Sequence, residues 1–356
     1  MSPSLSNITI VAQYYEQFLR SHYKKFEGLE SESYTKQLSS LLESGFGDSD
    51  IYSNGFKNLG FRTSDVIANC IQLQNAWRSE NTKYSGVSTL DLWLAQVIEF
   101  GARYVYFHDI GLVTKRSAAI LKSRNIKLIC QIASPIPRHV PLDQIDLFVT
   151  SFPHFHKYFE QNGLKSLYVP LAFDGRRAMS YKPYKQRQYR ISFIGGLTTN
   201  HSNFLPQLEK IAERYSIAVF GYVDDAISFY PNLRASYQGE AWGREMYEIL
   251  GDSQITINRH HAAAGDCANN LRMYEATGMG AMLVTDDKRN LSQFFHPGLE
   301  VVTYANQEQL LEVLKSAVND PSKSEEIAER GRVRCLSSHQ FSHTLPLICK
   351  GILELT

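Results

Sequence analysis

Several features that would define a protein class outright are scarce in this chain. There is no excess of charge: Lys and Arg number 37 against 36 Asp and Glu, a formal net charge of +1. Non-specific nucleic-acid binding rests on a broad basic surface, so that balance excludes nucleic acid as an expected partner. Cysteine is sparse and unpatterned. Cys70, Cys130, Cys267, Cys335 and Cys349 are an odd number, far apart, without a CxxC pair or metal-ligand spacing. They read as reduced thiols of a cytoplasmic protein rather than a disulfide framework. No apolar run approaches the roughly 18 residues that span a bilayer. The apolar stretch at 7–12 is too short for a signal sequence and runs straight into Gln13, Tyr14, Tyr15 and Glu16. The expectation is a cytoplasmic protein, at most peripheral to the inner face of a membrane. Internal repeats and low-complexity tracts are absent as well.

What is present is an alternation. Strand-length apolar runs are separated by segments with helical spacing, the pattern of a mostly parallel α/β sheet covered by helices. In the first half the runs fall at 8–12, 65–69, 104–107, 127–133, 147–150 and 167–171; in the second at 189–194, 217–220, 254–257, 281–284 and 299–303. A chain of 356 residues exceeds the size at which one core stops growing, so two domains are expected. The polar, basic stretch between them lacks apolar periodicity and reads as a linker. The expected organisation is an N-terminal domain at 1–175, a linker at 176–188, a C-terminal domain at 189–336, and a helix at 337–356 that packs back on the first domain. The connection after the first strand is long and rich in aromatics from Tyr14 to Phe61. It reads either as a core stripe or as a surface for stacking on sugar rings.

Three places carry candidate chemistry. An apolar strand ends in Gly195 and Gly196, where backbone N–H groups can approach a phosphate; plain turn chemistry is the alternative. A second polar segment follows a strand at Asn258, Arg259, His260 and His261, with a helix expected from Asn270. Arg272 then lies in the first helical turn, where its guanidinium and the free backbone donors favour a diphosphate. Glu275, one turn on, can accept from both hydroxyls of a ribose. The alternative is a solvated i,i+3 ion pair between the two. The third place is His108 and Asp109 at the carboxyl end of a strand, where an α/β fold exposes functional groups. They read as catalytic residues, or as a surface histidine and a helix-capping aspartate. Adjacent histidines without a carboxylate constellation do not suggest a metal site.

The spacing N-x-R-x-Y-E-A-x-G-x-G-A-x-x-V-T-D, from Asn270 through Arg272, Tyr274 and Glu275 to Asp286, resembles the donor-site signature of GT-B glycosyltransferases. The similarity is to the CgeB-like set, related to the group 1 transferases. It continues through Trp242–Tyr247, Asn258, Phe294–Val302, Ala328–Gly331 and His339, and is looser in the first half at Tyr106–Asp109, Gln131–Pro135, Asp146–Ser151 and Val169–Asp174.

The resemblance implies a GT-B architecture of two Rossmann-like domains facing each other across a cleft. The first would bind the acceptor and the second a nucleotide-sugar donor. It implies that Glu275 binds the ribose and that Gly195, Gly196 and Arg272 hold the diphosphate, with Asn258, Arg259, His260, His261, Asn270 and Tyr274 around the donor. It also implies metal-independent, hexosyltransferase-type chemistry without a cofactor beyond the donor itself, and retention of anomeric configuration. The acceptor would be a glycan or lipid-linked molecule in bacterial surface polysaccharide or glycoconjugate synthesis. One departure stands out: where group 1 enzymes carry an acidic residue shortly before the ribose-binding glutamate, this chain has Cys267, with Asp266 beside it. Two other functions fit the same residues, a nucleotide-sugar epimerase and a non-catalytic glycan-binding or maturation protein that has kept a remnant donor site. Loss of nucleotide binding with glycan binding retained would mark the latter.

Overall fold

A computed structural model describes residues 6–181, 187–198, 204–261 and 264–355. The chain divides into two compact units, Met1–Pro170 with Phe341–Thr356, and Leu171–Gln340.

The first unit holds a six-stranded, all-parallel sheet of β1 (Asn7–Ala12), β2 (Arg62–Ile67), β3 (Tyr104–Phe107), β4 (Lys127–Ile132), β5 (Leu147–Thr150) and β6 (Ser166–Tyr168). Its order is β2-β1-β3-β4-β5-β6. Strands buried on both faces carry no polar alternation, and β3, Tyr-Val-Tyr-Phe, is buried at all four positions. The long first connection forms helices Glu16–Lys25, Tyr34–Glu43 and Ile51–Asn58. Its aromatics are mostly core: Tyr14, Phe18, Tyr23, Phe56 and Phe61 are buried, and Phe18 stacks on Phe46 with ring centroids 4.0 Å apart. Tyr15 and Phe26 are exposed. The C-terminal helix Phe341–Leu353 packs within this unit, where Gly55 makes room for it: a Cβ there would lie 2.1 Å from Leu345 Cδ1.

The second unit holds β7 (Tyr189–Ile194), β8 (Ile217–Phe220), β9 (Tyr237–Gly239), β10 (Ser253–Asn258), β11 (Met282–Asp286) and β12 (Val302–Tyr304), again all parallel, in the order β12-β11-β10-β7-β8-β9. Side chains alternate across the sheet into two apolar layers. Ile191, Phe193, Ile255, Ile257, Met282 and Val284 enter one layer; Ile194 and Leu283 enter the other, with Met273, Tyr274 and Phe295. β9 has no counterpart among the expected strands, because Tyr-Gln-Gly contains no apolar run. The segment expected as a linker, 176–188, begins as part of helix Gly175–Ser180, and this helix belongs to the second unit; residues 182–186 lie outside the described residues. The division falls before Leu171 and after Gln340. No helix among the described residues is long and apolar enough to cross a membrane.

Candidate functional site

Counted within the second unit, the strand order is 3-2-1-4-5-6. In such a sheet the connections leave β7 and β10 toward opposite sides, and their carboxyl ends part to form a crevice where ligands bind. A cavity of about 370 Å³ lies there. The end of β7 contributes Gly195 and Gly196 to it, and the end of β10 contributes Asn258, Arg259, His260 and His261. Asn270 and Arg272 reach it from the start of helix Leu271–Met279, and Asp286 and Lys288 from the end of β11. Phe193, Phe204, Leu205 and Leu208 give it an apolar side.

The glycine corner depends on a second glycine. Gly195 N–H donates to Phe220 O at 3.0 Å, which draws the ends of β7 and β8 together. Gly221 has φ +134°, and a Cβ on it would lie 1.9 Å from Gly195 O. Only glycine tolerates that conformation and that approach. Gly221 ends an apolar strand as Gly195 does, so the sequence carried the signal for it.

Two asparagines build the floor. Asn270 caps its helix, its Oδ1 accepting from Met273 N–H at 3.3 Å, and its Nδ2 donates to Asn258 Oδ1 at 2.8 Å. Asn258 Nδ2 donates in turn to Thr285 Oγ1 at 2.9 Å. Their amides are thus largely engaged in tying β10, β11 and the helix start together. His260 is also a strut: its side chain is fully buried, its backbone N–H and Nδ1–H both donate to Asp286 Oδ1 at 2.9 and 2.7 Å, and Nε2 meets Met273 Sδ at 3.0 Å. Burial alone would raise the Asp286 carboxyl, but the hydrogen bonds and charge of His260, with Lys288 nearby, outweigh it and hold it below the ordinary value. His261, by contrast, is exposed at the cavity.

The cations differ in how they are held. Arg259 stacks its guanidinium over Phe204 at 5.1 Å, and its buried Nη1 makes no hydrogen bond among the described residues. Lys288 Nζ donates to Gly265 O at 2.8 Å and stands 3.4 Å from Asp286 Oδ2. Arg272 Nη1 pairs with Glu275 Oε2 at 2.8 Å and also meets Met246 Sδ at 3.0 Å. The i,i+3 pair weighed from the sequence therefore exists, but it is enclosed rather than solvated, with side chains 17% and 10% exposed. Glu275 accepts in addition from the Tyr247 hydroxyl at 3.4 Å. Glu275 and Tyr274 do not line the cavity. Tyr274 corrects the expectation most clearly: it is fully buried against Phe294, Phe295 and His339, because an i+2 step from Arg272 turns it to the opposite side of the helix. Cys267 is buried, and Asp266 is exposed with Arg289 3.8 Å away. Among the described residues no group of three or more His, Cys, Asp or Glu side chains could hold a metal ion.

His108 and Asp109 lie in the first unit and do not act as a pair. The Asp109 carboxylate accepts from Gly111 N–H at 2.7 Å and caps the turn Ile110–Leu112. His108 Nδ1 lies 2.9 Å from Oδ2 of Asp48, a residue that sequence spacing gave no reason to connect with it.

These two doubly wound units define the chain as a protein of the GT-B fold. Residues 198–350 match the glycosyl transferase-like family. No curated protein matches the chain. Among solved structures it is similar to Anabaena HepE in complex with UDP-glucose, with a TM-score of 0.63, 10% identity, and 98% of this chain and 99% of that one covered. Sucrose-phosphate synthase from Thermosynechococcus elongatus aligns with a TM-score of 0.60 at 10% identity over 98% and 99%. A glycosyltransferase from Rickettsia africae aligns with a TM-score of 0.60 at 12% identity over 99% of each chain. Family match and fold together support glycosyl transfer.

Proposed function

We propose that the chain transfers a sugar from a nucleoside diphosphate sugar, held in the cavity of the second unit, to a glycan or lipid-linked acceptor held by the first, in bacterial surface polysaccharide or glycoconjugate synthesis. The observation that carries this reading is a cavity at the strand-order reversal, bounded by a glycine corner and lined by Arg259, Arg272 and Lys288. A glycosyl transition state resembles an oxocarbenium ion parting from a diphosphate, so the protein's task is to position the donor and stabilise departing negative charge. Fixed guanidinium and ammonium groups and the N-terminus of helix Leu271–Met279 suit that task without a resident metal. Glu275 binds the ribose hydroxyls in this reading, with Arg272 turned to the diphosphate. The complex of HepE with UDP-glucose makes a uridine nucleotide the first candidate.

The test is a thermal-shift panel of UDP, GDP, CDP, ADP and dTDP, with and without EDTA, on wild type and Glu275→Ala. A ligand of the native state alone raises the melting temperature by mass action. One nucleotide is expected to stabilise wild type, unaffected by EDTA, and not the variant. Failure of all five to stabilise the protein would remove the donor site and favour the non-catalytic alternative.

A further inference from the structure

We propose that the nucleobase of the donor stacks on Trp242 beside Tyr222 and gives a ring N–H to Glu240, so that the donor carries uracil, thymine or guanine rather than cytosine or adenine. The proposal rests on the reading of the second unit as a nucleotide-sugar site and deepens it by naming the class of base.

Backbone bonds lead from the cavity to these residues. Leu197, directly after the Gly195 and Gly196 corner, donates its N–H to Tyr222 O at 2.9 Å, and Gly221 N–H donates to Gly239 O at 3.0 Å. The ends of β7, β8 and β9 are thus laced together, and Glu240 and Trp242 follow β9 at once. A second approach reaches the same place. Trp242 is the N-cap of helix Gly243–Gly251, and Tyr247 of that helix donates its hydroxyl to Glu275 Oε1 at 3.4 Å. At ~1.5 Å per residue, Trp242 stands about 7–8 Å along the helix from Tyr247. A ribose on Glu275 has its diphosphate in the cavity, which Tyr222 and Trp242 do not line. Its base extends the other way, toward the start of this helix.

The two rings found there are unaccounted for by the core. Phe220 and Ala241, close by in the chain, are buried in an apolar layer, whereas Tyr222 and Trp242 belong to neither layer and are half-buried. They lie parallel, with 6° between their planes and 6.1 Å between centroids. Parallel rings left partly open beyond a sheet edge offer a platform for a third, and every base has a π face to place on it.

Stacking tolerates any base; Glu240 supplies the choice. Its Oε2 accepts from the Trp242 indole N–H at 2.8 Å, which sets the carboxylate at the edge of the ring, and the residue is exposed. A carboxylate offers acceptors only. Uracil and thymine carry N3–H and guanine N1–H on the edge by which bases are read, and each donates to it. Cytosine N3 and adenine N1 bear a lone pair at that place, beside their exocyclic amine, and repel it.

The chain has three tryptophans, and the other two, Trp77 and Trp93, are buried in the first unit. Base stacking is therefore readable in the emission of Trp242. The full chain is titrated with UDP, GDP, dTDP, CDP and ADP while tryptophan emission, excited where nucleotides do not absorb, and melting temperature are followed. The nucleotide that binds most tightly is expected to be UDP, GDP or dTDP, to quench the emission, and to exceed CDP and ADP by about tenfold or more. Trp242→Phe should keep most of the affinity and lose the quench. Trp242→Leu should weaken binding by roughly 5- to 150-fold, the worth of one stacking partner. Glu240→Gln, whose amide donates as well as accepts, should bring CDP and ADP closer to the preferred nucleotide by about tenfold. A merely structural pair would weaken all five alike and leave their order unchanged. Should Trp242→Leu fail to fold, the quench and the order in Glu240→Gln still decide. Tightest binding of CDP or ADP, binding without a quench, or an unchanged order in Glu240→Gln overturns the base site while nucleotide binding still supports the transferase. Absence of stabilisation by any nucleotide overturns the reading beneath it.

Discussion

Replacing Arg272 by Met should destabilise the protein more than replacing Glu275 by Gln, although both changes break the same 2.8 Å ion pair. The reason lies in what each leaves behind. Arg272→Met deprives a carboxylate that is only 10% exposed of its guanidinium, whereas Glu275→Gln leaves an arginine that lines the cavity, where water reaches it. Breaking a buried pair by removing one partner costs roughly 3–5 kcal/mol. Residual exposure and the Tyr247 hydroxyl at 3.4 Å put Arg272→Met near the lower end, about 3 kcal/mol. For a folding unit of this size that corresponds to a melting temperature lower by roughly 6–12 °C. Glu275→Gln, which keeps an acceptor for the guanidinium, should cost about 1 kcal/mol or less. Circular-dichroism melts of both variants and the double variant decide the matter. The double variant should melt above Arg272→Met, because the stranded charge is gone. Equal melting of the two single variants, or a lower value for Glu275→Gln, would refute the view that enclosure of the carboxylate governs this pair.

Two further outcomes follow from the geometry. Gly221→Ala should cost roughly 3 kcal/mol or more, from a positive φ combined with a Cβ 1.9 Å from Gly195 O, and should abolish nucleotide-dependent stabilisation; a variant that melts and binds as wild type would show that the corner relaxes freely. In the first unit, burial and then the charge of Lys25 lower the His22 imidazole from 6.5 to about 4. A base held neutral in the folded state contributes stability that is full above its unfolded value and is lost as the pH falls toward the folded one. The melting temperature should therefore drop between pH 7 and 4 with a smaller slope in His22→Gln than in wild type, and identical slopes would contradict the assignment.

Much of the fold was legible because parallel sheets bury both faces of their strands, which leaves apolar runs that stand out from helical spacing. Five of the strands in the second unit were visible on that ground, and β9 was not, since three residues at a sheet edge need no apolar run. The cavity of the second unit was legible in part. Gly195, Arg259 and Arg272 follow from chemistry at strand ends and at a helix start, positions that local sequence specifies. Tyr274 was misjudged because a motif gives order along the chain but not which side of the helix meets the core.

By itself the sequence determined the alternation of elements, the glycines at strand ends and the Asn270 cap, all of which are decided within a few residues by backbone sterics and local hydrogen bonds. Only the tertiary structure decided which charges are spoken for. Asp109 caps its own turn while Asp48 takes His108, His260 is consumed by Asp286, and Arg259 Nη1 makes no hydrogen bond among the described residues. Such pairings depend on parallel strands bringing distant loops to one sheet edge, and long-range packing sets them where no local preference can.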